Sequence, residues 1–163
     1  MSQGEDRVSA SLTVRAPAEV VFDLLADPAT HASIDGTGWV CGAVDSEPLT
    51  APGQVFMMDM HHPDHPDGDY RTANRVQVLD RPRAISWHTG YVKDDGTLGF
   101  GGWLWRYDLA PAGPGSTEVT LSYDWSAVPE SIRAYLSFPP FPPDHLSRSL
   151  AHLAELATAA GLA

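Results

Sequence analysis

Apolar and polar residues alternate with a period of two along the middle of this chain, and helical spacing appears only towards its two ends. The clearest alternation lies between Gly101 and Trp125. Trp103, Trp105, Tyr107 and Leu109 share one parity and Leu104, Arg106 and Asp108 the other. Val119, Leu121, Tyr123 and Trp125 then alternate with Glu118, Thr120, Ser122 and Asp124, and Pro111 to Ser116 is rich in turn formers. Two period-two runs around a Gly/Pro cluster predict an antiparallel hairpin. One of its faces is aromatic, so the rest of the chain must cover that face or leave a pocket over it.

The same reading orders the other elements. Val8, Ala10, Leu12 and Val14 alternate with Ser9, Ser11, Thr13 and Arg15, a half-buried first strand. Pro17 opens a helix whose stripe is Val20, Val21, Leu24 and Leu25. Asp27-Pro28 reads as an N-cap and first helical residue of a second short helix through about Ile34. Asp35 to Gly38 is a loop. Strands are predicted at about Trp39 to Asp45, Gln54 to His61, Asp69 to Leu79 and Ala84 to Tyr91. They are separated by turns at Pro48 to Gly53, His62 to Gly68, Asp80-Arg81-Pro82 and Asp94-Asp95-Gly96. After the hairpin come a short helix from Pro129 to about Leu136 and a stiff connector from Phe138 to Pro143. A last helix runs from about Pro143 to Ala160, with Leu146, Leu150, Leu153, Ala157 and Ala160 on one stripe. Helices segregated to the ends of a strand run predict an α+β class, with about seven antiparallel strands, two short helices after strand 1 and a long C-terminal helix.

With 163 residues and no repeat or second core, a single domain spanning 1–163 is expected. The formal net charge of −11 repels phosphate backbones and anionic bilayers, which argues against nucleic-acid and membrane partners. Cys41 is the only cysteine. It allows no internal disulfide, fits a reducing cytoplasm and reads as small buried filler. The N-terminal MSQGEDRV has no apolar core of a secretory signal, and no apolar run is long enough to span a membrane.

The segments Ser11 to Pro28, Leu79 to Trp87 and Val119 to Ser126, together with Phe141-Pro142 leading into a Leu/Ala helix, resemble the START-like superfamily (SRPBCC) in its polyketide cyclase/dehydrase branch. The resemblance implies a helix-grip fold, in which a curved antiparallel sheet grips the C-terminal helix around a cavity. It also implies a hydrophobic ligand such as a lipid, sterol or polyketide, and in some members cyclisation or dehydration. Its motifs are architectural and bring no catalytic residue with them.

Taking the more apolar parity as inward gives Tyr70, Thr72, Asn74, Val76 and Val78 on one strand and Ile85, Trp87, Thr89 and Tyr91 on the next. The hairpin adds Trp103, Trp105, Tyr107, Leu121, Tyr123 and Trp125. Arg71, Arg75, His88, Arg106, Asp108, Glu118 and Asp124 fall outside. Such a face stacks aromatic ligands and offers Asn74 and Thr89 to a hydroxyl or carbonyl, but it holds no strong base. The strand Gln54 to His61 is ambiguous. Phe56, Met58 and Met60 outweigh Val55, Met57, Asp59 and His61 as the inward face. On the opposite choice Asp59 and His61 are an acid–base pair inside the cavity. His61, His62 and His65 with Asp59, Asp64, Asp67 and Asp69 also invite a metal reading, but their spacing matches no standard motif. A solvated turn is expected there, with no metal and no cofactor.

Two functions follow. The first is a binding protein for a hydrophobic, aromatic or polyketide-like molecule, acting as monomer or homodimer. The second is a polyketide cyclase or dehydratase working by enolisation, aldol closure and loss of water. It would use His61 with Asp59 as base and Tyr70 or Tyr123 as hydrogen-bond donor to the enolate.

Overall fold

The computed structural model describes residues 6–36, 39–44, 47–61, 69–93, 95–134 and 138–162. The strands are β1 (Arg7–Val14), β2 (Val40–Ala43), β3 (Val55–His61), β4 (Asp69–Asp80), β5 (Ala84–Val92), β6 (Leu98–Pro111) and β7 (Thr117–Asp124). They form one antiparallel sheet in the order β1-β7-β6-β5-β4-β3-β2. Every neighbour but β1 on β7 is a sequential hairpin partner. Helix α1 (Ala18–Leu25), a 3₁₀ turn (Pro28–Thr30) and helix α2 (His31–Ile34) follow β1, while α3 (Glu130–Arg133) and α4 (His145–Leu162) follow β7. This is the α+β, helix-grip architecture that the hydrophobic pattern and the resemblance imply. The turn 62–68, with His62, His65, Asp64 and Asp67 of the metal alternative, lies outside the described residues, as do 45, 94 and 135–137.

Local chemistry explains most boundaries. Pro17 caps α1 in an extended conformation, and Val21, Phe22 and Leu25 form its buried stripe. Asp27 accepts the Ala29 N–H through its side chain, with Pro28 at the first helical position. The last helix begins at His145, after Pro142, Pro143 and Asp144 have turned the chain towards the sheet. Leu146, Leu150, Leu153 and Ala157 are all buried, and α4 lies against β1, β7 and α1. Each of those leucines removed from water contributes about 1.5–3 kcal/mol, so this stripe fixes the helix on the β1–β7 side of the sheet. Space is left over β3 to β6.

Several inward assignments shift for identifiable reasons. β4 carries one extra residue between Val76, opposite Trp87, and Val78, opposite Ser86. This bulge reverses the parity, so Leu79 rather than Val78 joins the core. Leu12 is 37% exposed, because β1 is an edge strand. Cys41 is exposed rather than buried. It sits at the irregularity between Val40 and Gly42 on the other edge strand, whose core contacts come from Val40 and Ala43. A second irregularity sets Gly101, Gly102 and Trp103 of β6 against Thr89 alone. Gly102 adopts φ +104° there, and a Cβ would lie 2.7 Å from the Ala127 carbonyl oxygen. Trp103 is thereby carried towards Phe138, with ring centroids 5.9 Å apart.

Candidate functional site

The space over β3 to β6 is a cavity of about 380 Å³. Its floor is the inward parity of the sheet. Phe56, Met58 and Met60 come from β3, Tyr70 and Asn74 from β4, Trp87 and Thr89 from β5, Trp103 and Trp105 from β6, and Tyr123 from β7. The structure thus brings all ten residues expected on the ligand-facing wall onto one surface. Trp125 does not border it and packs instead with Tyr123 and Val128 in a separate small cluster. Of the charged set read as outward, Arg71 alone borders the cavity.

The aromatic wall is a set of ring contacts rather than isolated side chains. Trp105 contacts Tyr123 at 4.6 Å and lies nearly parallel to Phe141 at 5.5 Å. Trp87 is stacked on His31 at 5.2 Å, and Phe56 meets both edge-on. These rings hold one another in place along the wall.

The polar tips on the floor are already engaged. Thr89 Oγ1 donates to Asn74 Oδ1 at 2.7 Å, and Asn74 Nδ2 donates to the Phe56 carbonyl at 3.3 Å. Asn74 is therefore satisfied from both ends and stiffens β3, β4 and β5 more than it offers itself to a ligand.

Asp59 and His61 face the other way. Arg71 Nε donates to Asp59 Oδ1 at 3.0 Å, and His61 Nδ1 lies 2.8 Å from Asp69 Oδ1. All four side chains are at least half exposed. The acid–base pair sketched from the sequence is thus not formed inside the cavity. With Phe56 and Met58 buried, the strict alternation of β3 carries Asp59 and His61 to the outer face.

Charge nevertheless enters the cavity, from the helices. Asp35 caps the C-terminal end of α2, and His145 opens α4. Both border the cavity, both side chains are 8% exposed, and Asp35 Oδ1 is 3.9 Å from His145 Nδ1. That separation is too long for a hydrogen bond. Asp35 Oδ2 accepts the Val40 N–H at 3.0 Å, which ties the end of α2 to β2. Burial lowers the His145 pKa, against the opposing pull of Asp35 and Asp144, so the ring is neutral at neutral pH. His31 also borders the cavity. Burial lowers its pKa too, although its bond to the Leu25 carbonyl and the charge of Asp27 act the other way. Because a carbonyl only accepts, the 2.8 Å contact from His31 Nε2 to Leu25 O places the proton of the neutral ring on Nε2. Burial, reinforced by Asp35, pushes the Tyr107 hydroxyl up and does the same to Tyr70, and burial alone raises Tyr123. All three are protonated donors.

The sequence reading missed Asp35, His31 and His145, although one signal was available. His145, Ser149 and His152 recur at helical spacing beside the Leu146-Leu150-Leu153 stripe. In the structure they form a polar seam against the end of α2. Ser149 Oγ accepts the Gly36 N–H at 3.0 Å, and His152 Nδ1 lies 3.1 Å from the Ile34 carbonyl.

Residues 5–157 match the family described as polyketide cyclase / dehydrase and lipid transport. The chain belongs to this family. Its members' fold is one that receives hydrophobic molecules, in keeping with the cavity. An uncharacterized protein of Mycobacterium tuberculosis, Rv0088, is 31% identical over 124 residues, covering 76% of this chain and 50% of that protein. The chain spans about half the length of the curated relatives it matches. Among solved structures, protein NE0264 from Nitrosomonas europaea superposes with a TM-score of 0.69 at 14% identity, covering 99% of both chains. Protein Ms6760 from Mycobacterium smegmatis gives 0.66 at 19% identity, covering 95% of this chain and 92% of that one. At such identities the likeness is one of fold. Among the described residues no helix is long and apolar enough to cross a membrane.

Proposed function

We propose that this domain holds a hydrophobic, aromatic or polyketide-like small molecule in the cavity between sheet and C-terminal helix. The observation that carries the reading is the continuous aromatic wall of a cavity large enough, at about 380 Å³, for a ligand of two or three fused rings. Membership of a family of cyclases, dehydrases and lipid carriers supports it. The test is a titration of the full chain with uncharged polycyclic aromatics, followed by quenching of tryptophan fluorescence. Trp105→Ala should weaken binding by about tenfold or more, since each factor of ten is 1.4 kcal/mol and one stacked ring contributes about that much. Binding that is absent across the series, or indifferent to both Trp105→Ala and Phe56→Ala, rules the cavity out as the ligand site.

A second reading, turnover as a cyclase or dehydratase, is favoured by the family's description and by the presence of His145 and Asp35 within the cavity. Enolisation needs a base at the reacting carbon and a donor at the developing oxyanion. Tyr70, Tyr107 and Tyr123 border the same space as donors. Incubation with a poly-β-ketone thioester mimic would reveal this activity as enzyme-dependent loss of water by mass spectrometry. An unchanged substrate after saturation with protein would leave binding alone.

A further inference from the structure

Among the described residues, one buried side-chain nitrogen or oxygen has no hydrogen-bond partner, and it is His145 Nδ1. Such an atom is costly to leave unmade. The group that answers it is Asp35, whose Oδ1 stands 3.9 Å away in the same buried corner. A rotation of the ring that shortened this distance would make it a hydrogen bond. A neutral imidazole has one N–H and one lone pair. With Nδ1 turned to a carboxylate the proton belongs on Nδ1, and the lone pair is on Nε2 of a ring that borders the cavity. The cavity thus gains an acceptor beside the rings of Trp105 and Phe141.

We propose that His145, positioned by Asp35, is the acceptor for an acidic hydroxyl of the ligand, so that the bound molecule is a neutral phenol or the planar enol of a conjugated dicarbonyl. The proposal rests on the cavity-binding reading above and narrows its ligand class. Three observations select the class. The Asp35 carboxylate behind the ring disfavours an anionic ligand such as a fatty-acid carboxylate. The lowered pKa of His145 leaves its ring neutral, so it accepts a proton-bearing group rather than pairing with an anion. Finally, Trp105 and Phe141 both set their rings edge-to-face against His145, at 5.5 Å and 4.8 Å. A hydroxyl that reaches the imidazole between those rings is best carried on a flat conjugated system that stacks on them.

The test compares β-naphthol, its methyl ether and β-naphthoate as probes of one shape, by calorimetry on the full chain. Wild-type protein should bind naphthol at least about tenfold more tightly than the ether, and naphthoate most weakly. In His145→Phe the ratio of naphthol to ether affinity should fall to about one, and Asp35→Asn should reduce it in the same way. Asp35→Asn keeps a side-chain oxygen for the Val40 N–H, so it serves if His145→Phe does not fold. Its second readout is the tautomer of His145, which nitrogen-15 NMR should find as Nδ1–H in wild type and shifted towards Nε2–H in the variant. Naphthol and ether binding equally well, a preference that survives in His145→Phe, or naphthoate binding most tightly each overturns the hydroxyl site and leaves the cavity standing. No binding by any of the three overturns both.

Discussion

The main-chain N–H of Gly36 donates to Ser149 Oγ across the join between α2 and α4, at 3.0 Å. The contact is possible because Gly36 has no side chain. A Cβ there would lie 2.6 Å from the His145 carbonyl oxygen and 2.8 Å from Arg148 Cβ. Gly36 therefore lets Asp35 come within 3.9 Å of His145, a separation that would grow if the two helices stood further apart.

Gly36→Ala is expected to push the end of α2 off α4. Overpacking against backbone should cost about 1–3 kcal/mol, measured by urea denaturation. Asp35 would move with the chain, so the naphthol preference should fall together with stability. A Gly36→Ala protein of wild-type stability and wild-type preference would show that the close approach does not position Asp35.

The leucine stripe of α4 should matter for stability without touching the ligand. Leu153 is fully buried and does not border the cavity. Leu153→Ala should cost about 2–5 kcal/mol, while affinity for an aromatic probe in the folded protein stays as it was. A larger effect on binding than on the denaturation midpoint would contradict the division between helix anchor and cavity wall.

Acid should destabilise the fold through two histidines. Burial lowers the pKa of both His31 and His145 below the ordinary 6.5. The groups opposing it are the Leu25 carbonyl and Asp27 for His31, and Asp35 and Asp144 for His145. Below that ordinary value the unfolded chain takes up protons that the folded chain does not, so stability rises with pH. The contribution is fully present above about pH 6.5 and is lost as the pH falls through the lowered folded-state values. Denaturation midpoints should fall from about pH 7 to about pH 5, and less steeply in a His31→Phe, His145→Phe double variant. A parallel decline in both proteins would assign the acid sensitivity to other groups.

His61→Ala and Asp59→Asn should be close to silent. Each removes one half of an exposed pair, and such pairs are worth about 1 kcal/mol or less. Ligand affinity, and any turnover on a poly-β-ketone mimic, should be unchanged. Loss of either in His61→Ala would return the chemistry to the outer face of β3.

The sheet was legible in the sequence because the face a strand residue takes is set by its nearest neighbours. Alternation of Trp103, Trp105 and Tyr107 against Leu104 and Arg106 needs no distant information. Trp105 and Phe56 therefore reach the cavity wall as the pattern implies. Where a strand gains a residue, as at Gln77, the local rule breaks, and Val78 gives way to Leu79. The ambiguity at β3 had the same origin: both parities of Val55 to His61 are partly apolar, and only packing chose Phe56, Met58 and Met60.

What the sequence determined by itself was the order of elements, the hairpins, the leucine stripe of α4 and the aromatic character of one face, all consequences of short-range periodicity. Tertiary structure alone decided that this face is lined at one corner by a carboxylate and an imidazole. Asp35 lies in a connection after α2 and His145 at the head of α4, and no local pattern relates them. They meet because Leu146, Leu150 and Leu153 seat α4 on the sheet and Gly36 admits the close approach, and the burial that follows keeps the ring neutral beside its carboxylate.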